Sequence, residues 1–265
     1  LRPPPRSTHS TGRRQRQMCI RDSEYAITLM YLHRFDEAKN AVRQARVIDP
    51  DSFWGKTTEA RIALQERGDI DTAVKLTIGA QHGDDYDYFE SFMLASMLSR
   101  RFEDALKAAR NLPNDLEIQY SLINLREDWA AQNLHFMGNA DEARQAAGAA
   151  LFRLKGFRSE LGEDHRVDLA EARVRALQGA APEEVRGLVQ QSVASVPADD
   201  VAAFETRFTH AQIFAIAGMA AEAIEMLEPI FSPPSATSVY IVDLDPAFDA
   251  VRDDPGFIAM MERNR

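Results

Sequence analysis

Three stretches of this 265-residue chain gather side chains that could do chemistry. Gly55-Lys56-Thr57 ends like a phosphate-binding loop, in which backbone N–H groups cradle phosphate and the lysine offsets its charge. Such a loop needs a glycine five residues before Gly55, where this chain has Pro50, and a preceding strand that the pattern does not supply. His82-Gly83-Asp84-Asp85-Tyr86-Asp87 collects oxygen ligands and an imidazole. A calcium loop, however, alternates its ligands and closes with a glutamate at its twelfth position, which is missing here. The stretch therefore reads as a solvated loop. Asp164-His165 with Asp168 could form a histidine–carboxylate pair. No G-x-S-x-G elbow supplies a nucleophile, and the acids stand where a helix start takes its cap. His33, His135 and His210 read as packing or groove residues, and no two histidines have the i, i+4 spacing of a helical zinc site. Trp54 and Trp129 read as aromatics packed between elements. No catalytic, cofactor-binding or metal-ligating residue is assigned, and the chain is expected not to be an enzyme.

What organises the sequence is a recurrence. Arg34-Phe35-Asp36-Glu37-Ala38 returns as Asp69-Ile70-Asp71-Thr72-Ala73, Arg101-Phe102-Glu103-Asp104-Ala105, Asn139-Ala140-Asp141-Glu142-Ala143 and Met219-Ala220-Ala221-Glu222-Ala223. From alanine to alanine the steps are 35, 32, 38 and 80 residues, and Val185 stands near the middle of the last one as a degenerate copy. A period in this range marks stacked repeats, each burying its face on its neighbours. Turns are expected at His33-Arg34, Gly68-Asp69, Arg100-Arg101, Gly138-Asn139, Gly179 to Pro182 and Gly218-Met219. They divide residues 24–231 into about six helical hairpins, with a polar linker over 156–163. Alanine at a closest approach lets two helices pack near the short end of the 8–10 Å interaxial range.

The first of these hairpins resembles a tetratricopeptide repeat. With Ala38 at position 20 of that pattern, Phe35 falls at 17, Val42 at 24, Ala45 at 27 and Pro50 at 32. The resemblance runs over about residues 24–257 and implies an all-α hairpin solenoid. In that family the first helix of each hairpin lines a concave face that binds protein segments. By that alignment the candidate groove consists of Met30, Tyr31, Thr58, Ile62, Gln65, Glu66, Glu90, Leu94, Asp128, Gln132, His135, Phe136, Phe208 and Gln212. The expected function is a non-catalytic protein-interaction scaffold, with self-association as a second use of the same face.

Residues 232–265 differ from the repeats. Ser232-Pro233-Pro234-Ser235 is a loop, and Asp245-Pro246 and Asp254-Pro255 each read as a helix cap followed by proline at the first helical position. This segment resembles the one that closes the repeat region of bacterial adenylate or guanylate cyclases and of winged-helix regulators. The resemblance implies a C-terminal cap and, as an alternative function, the regulatory half of a truncated signalling protein. At the other end, Arg13 to Ser23 resembles a translated transposase adapter used in DNA library preparation, and Pro4 to Thr8 the outer end of that adapter. Residues 1–23 are therefore read as a non-native, disordered leader, and the true N-terminus as missing.

Setting aside the six arginines and one aspartate of residues 1–23 leaves 25 of 31 basic and 40 of 41 acidic side chains, a net charge near −15. Such a chain repels phosphate backbones and prefers basic partner segments. The one cysteine, Cys19, goes with the leader, so no disulfide framework is expected. No apolar run approaches the roughly 20 residues of a membrane span. A cytoplasmic location is expected.

Overall fold

The computed structural model describes residues 24–50, 53–78, 86–112, 122–196 and 202–265, with the backbone alone at 86–89 and 202–205. The chain is an all-α solenoid of stacked helical hairpins. The first hairpin pairs α1 (24–31) with α2 (Phe35–Ile48), the second α3 (Phe53–Arg67) with α4 (Ile70–Ile78), and the third α5 (Tyr86–Leu98) with α6 (Phe102–Arg110). The fourth pairs α7 (Arg126–Phe136) with α8 (Ala140–Leu161), the fifth α9 (His165–Leu177) with α10 (Pro182–Ser195), and the sixth α11 (Ala202–Ile216) with α12 (Ala220–Leu227). No β-strand forms among the described residues. Each second helix packs on the next first helix, from α2 on α3 through to α10 on α11.

Five of the six turns share one geometry, and it explains the recurring motif. At His33, Arg100, Gly138, Gly179 and Gly218 the backbone enters the left-handed region, with φ between 55° and 80°. The next amide then reaches back five residues: Arg34 N–H to Leu29 O, Arg101 to Ser96, Asn139 to Leu134, Ala180 to Arg175 and Met219 to Phe214, at 2.8–3.1 Å. This is the Schellman closure, which satisfies carbonyls that a helix end leaves unpaired. Glycine takes the position freely at 138, 179 and 218, whereas His33 and Arg100 hold it with a Cβ, at a cost of about 1–2 kcal/mol. The motif alanines follow one turn into the second helix. Ala38, Ala73, Ala105, Ala223 and the degenerate Val185 have no exposed surface, and Ala143 has 1%.

Three expectations change. The linker expected over 156–163 is helix: α8 continues through Gly156 to Leu161 and stops at Gly162, where φ is 69°. An interior glycine disfavours helix by about 1 kcal/mol. Packing outweighs it, because Leu154 and Phe157 join the core of α7–α9 and Arg158 pairs with Asp168 (2.5 Å) and Glu171 (3.4 Å) on α9. The fourth hairpin, read from the sequence as starting at about Leu116, has its first helix from Arg126, because Leu125 is extended and the Ile123 carbonyl accepts from Arg173 instead of a helical amide. Trp54 is 37% exposed rather than packed between repeats. Trp129 is half-buried against Met93, Ala109 and Leu112, as expected.

After α12, a 3₁₀ turn (Glu228–Ile230) leads through a loop to α13 (Val239–Leu244), a second 3₁₀ turn (Pro246–Val251) and α14 (Pro255–Arg263). Both Asp-Pro pairs cap as their chemistry dictates. Asp245 accepts from Ala247 N–H at 2.9 Å, and Asp254 from Gly256 and Phe257 N–H at 2.8 and 3.0 Å. Val239, Val242, Phe248, Val251, Phe257, Met260 and Met261 are buried in one cluster with α9–α12, covering the last hairpin.

Candidate binding face

Successive first helices touch one another (α3 with α5, α7 with α9, α9 with α11), and successive second helices do not to the same extent. That places the first helices on the inner side of the solenoid. The C-terminal segment lies against them: α13 packs on α3 and the second 3₁₀ turn on α11. The inner face is thus partly covered by the chain's own last residues, at both of its ends.

The fourteen candidate groove residues fall into distinct groups. Met30 and Ile62 are core side chains, exposed by 0% and 2% in the cluster of α1–α3, and Thr58 is 1% exposed. They correct the expectation of a groove-lining role, because helical spacing does not say which of two adjacent faces carries the neighbouring repeat. Glu66 is drawn to α2 by Lys39 at 2.7 Å, and Leu94 packs on the core of α3–α5. Glu90 is half-buried on α5. Phe136 sits against Phe102 at 5.9 Å between ring centroids and His135 against Phe136 at 5.5 Å, both half-buried. Burial also lowers the pKa of His135, keeping it neutral near pH 7.

Asp128 and Gln132 belong to a buried polar cluster. Arg173 on α9 donates through Nε to Asp128 Oδ2 at 2.8 Å and through Nη2 to the same oxygen, and Gln132 Nε2 adds a bond at 3.3 Å. Arg173 and Asp128 are 5% and 0% exposed. Burial pushes the Asp128 carboxyl upward, and the Arg173 guanidinium opposes it. A pair enclosed in this way fixes α7 against α9 and the extended stretch before α7, and presents no charge to a ligand.

The remaining four candidates touch the C-terminal segment. The Tyr31 carbonyl accepts from Ser235 N–H at 2.8 Å, and Gln65 Nε2 donates to the Ala236 carbonyl. Gln212 Nε2 donates to Asp245 Oδ2 at 2.6 Å, and Phe208 meets Phe248 at 5.9 Å. Asp245 is fully buried, which raises its pKa against the pull of the Ala247 amide and Gln212. Outside the candidate set, Arg100 forks onto Asp249, with Nη2 to Oδ1 at 2.8 Å. Sequence reasoning missed Arg100, and its signal was an arginine at a turn position where four other repeats have glycine.

The chemistry-bearing motifs resolve structurally. Gly55-Lys56-Thr57 lies inside α3, where Thr57 Oγ1 donates to the Phe53 carbonyl at 3.2 Å. Asp164 caps α9 through Arg166 N–H at 2.9 Å. Asp168 turns from His165 to Arg158, Gln191 (3.1 Å) and Ser195 (3.1 Å). His82 to Asp85 lie outside the described residues, as do residues 1–23. Among the described residues no group of His, Cys, Asp and Glu could hold a metal ion, and no helix is long and apolar enough to cross a membrane.

Among solved structures the chain is similar to a tetratricopeptide repeat protein from Parabacteroides merdae, at 14% identity and a TM-score of 0.42, over 94% of this chain and 99% of that one. No protein-family model matches the chain, and no curated protein matches it.

Proposed function

We propose that this chain is a non-catalytic protein-interaction scaffold whose inner helical face receives partner segments. One observation carries the reading. The face already receives a peptide-like segment, since Tyr31 and Gln65 bind the main chain of Ser235 and Ala236 much as they would bind an extended ligand. Main-chain bonds supply affinity with little regard to side chains, and flanking contacts supply selectivity. The net charge of −10, near −15 over residues 24–265, favours basic segments on this surface.

The test is fluorescence anisotropy of the full chain against labelled 15-residue peptides, one set rich in Lys and Arg and one in Glu. Basic peptides are expected to bind with affinity that falls as salt rises, since exposed charges are screened beyond about 10 Å at 0.1 M. Equal binding of both sets, or of neither at millimolar peptide, would refute the reading.

A further inference from the structure

We propose that residues 232–252 form a releasable strap, an internal ligand that occupies the N-terminal end of the inner face and yields it to a partner segment of the same chemistry. That partner would have an extended stretch of small residues with free main-chain groups, then one helical turn with aliphatic side chains, then a carboxylate. This deepens the scaffold reading and rests on it.

The strap is held unequally at its two sides. Toward α9–α12 it is anchored by side chains with almost no exposed surface: Val239 at 4%, Val242 and Phe248 at 0%, Val251 at 2%. Toward the N-terminal hairpins it offers small residues and partly covered ones. Ser235 meets α1 and Ala236 meets α3 through main-chain groups, with little apolar area to lose, and Ile241 and Leu244, themselves only half-buried, pack on the cluster of Leu64 and Leu98. The Arg100–Asp249 pair is 43% and 46% exposed, so solvent screens it. A Cβ on Gly68 would start 3.3 Å from Cβ of Tyr240, so α13 rests on a turn that no side chain keeps at a distance. When the two halves part, the strap stays with the C-terminal hairpins and uncovers Tyr31, Gln65 and Arg100.

The joint is also incompletely bonded. Gln65 is 3% exposed and donates to Ala236 through Nε2, while its Oε1 is buried with no partner among the described residues. Rotating the amide would set Oε1 against the Ala236 carbonyl, so its orientation is fixed by that bond. Ser238 Oγ, on the strap, is likewise buried without a partner among the described residues. A buried acceptor left unpaired penalises the closed state. A segment placing a main-chain N–H at Gln65 Oε1 would use both ends of the amide where the strap uses one. Such a partner binds this end of the face better than the strap does. Arg100 fits the same picture: it accepts a left-handed backbone, with φ 62°, at a turn position held by glycine in four other repeats, and its guanidinium reaches the strap.

The test uses the full chain and a labelled synthetic peptide of residues 232–252. In the variant Ile241→Glu with Asp249→Arg, both changes lie on the strap's N-terminal contacts and leave the face intact. We expect at least tenfold tighter peptide binding than to the native chain, faster hydrogen exchange of the Ser235 amide, and unchanged protection in α9–α12. Loss of protection through α9–α12 would mean that the strap cannot be separated from the fold, and would overturn the proposal. So would a variant that opens at Ser235 yet binds no peptide. A second measurement needs no variant: excess peptide should accelerate Ser235 exchange in the native chain, and a constant rate would also overturn the proposal. These readouts are independent of the basic-peptide panel, so strap and scaffold can fail separately.

Discussion

His210 is 2% exposed on α11, with Nε2 3.0 Å from Ser192 Oγ on α10. Burial, with smaller contributions from Arg207 and His165, lowers its pKa to about 4. A histidine whose folded pKa lies below its unfolded value near 6.5 protonates first in the unfolded chain. Its neutral form therefore favours folding above pH 6.5, and that contribution is lost as the pH falls from 6.5 toward 4. Between pH 7 and pH 5 the loss amounts to about 2 kcal/mol. Denaturant melts at pH 7, 6 and 5 should show the native chain losing that much more stability than His210→Gln, which keeps a hydrogen-bonding side chain but cannot charge. Parallel pH curves would show that the imidazole is less enclosed than its contacts indicate. Asp128 and Asp245, whose pKa values are raised, act with the opposite sign and are common to both proteins.

Hairpin pairing depends on one small residue per repeat, because helices meet closely only where no side chain projects between them. Ala143, on α8, packs with Leu106, Ala130 and Leu134 of α6 and α7. Replacing it with leucine forces those elements apart and should cost about 1–3 kcal/mol. The exposed neighbour Ala149→Leu should stay within about 0.5 kcal/mol of the native chain. Thermal melts of the two variants compare seam with surface on one helix, and equal effects would remove the seam from the account of the fold.

Across the whole molecule, the C-terminal segment completes one core and bridges to another. Its seven buried apolar side chains from Val239 to Met261 share the cluster of the last two hairpins. At about 1.5–3 kcal/mol each, their burial is on the order of 10 kcal/mol, comparable to the net stability of an entire domain. A chain ending at Phe231 should therefore lose hydrogen-exchange protection in α11 and α12, while α1–α4 keep theirs, as expected where stability passes between neighbouring repeats. Unchanged protection in α11 would mean that the segment is only docked there. The strap differs within this segment because residues 235–244 face the first hairpins through contacts that are shallower and partly unbonded.

Much of the architecture was legible in the sequence because its causes are local. A turn residue, one or two acids and a small residue mark a helix end, a helix start and a seam within a few positions, so all six turns could be placed. The Asp-Pro caps at 245 and 254 were legible for the same reason. Where neighbours far along the chain decided, residue type was not enough. Gly156 suggested a linker until Arg158 met Asp168. Met30 and Ile62 suggested a groove but are core, and Trp54 suggested core but is exposed. The path of the tail was least legible: the bond from Gln65 to Ala236 joins residues 171 apart. Closing so long a separation depends on how much the whole solenoid curves, a sum of small rotations between packed helices that no single repeat encodes. The sequence by itself determined the hairpins and their seams. Only the tertiary structure decided that the chain would lie across its own inner face.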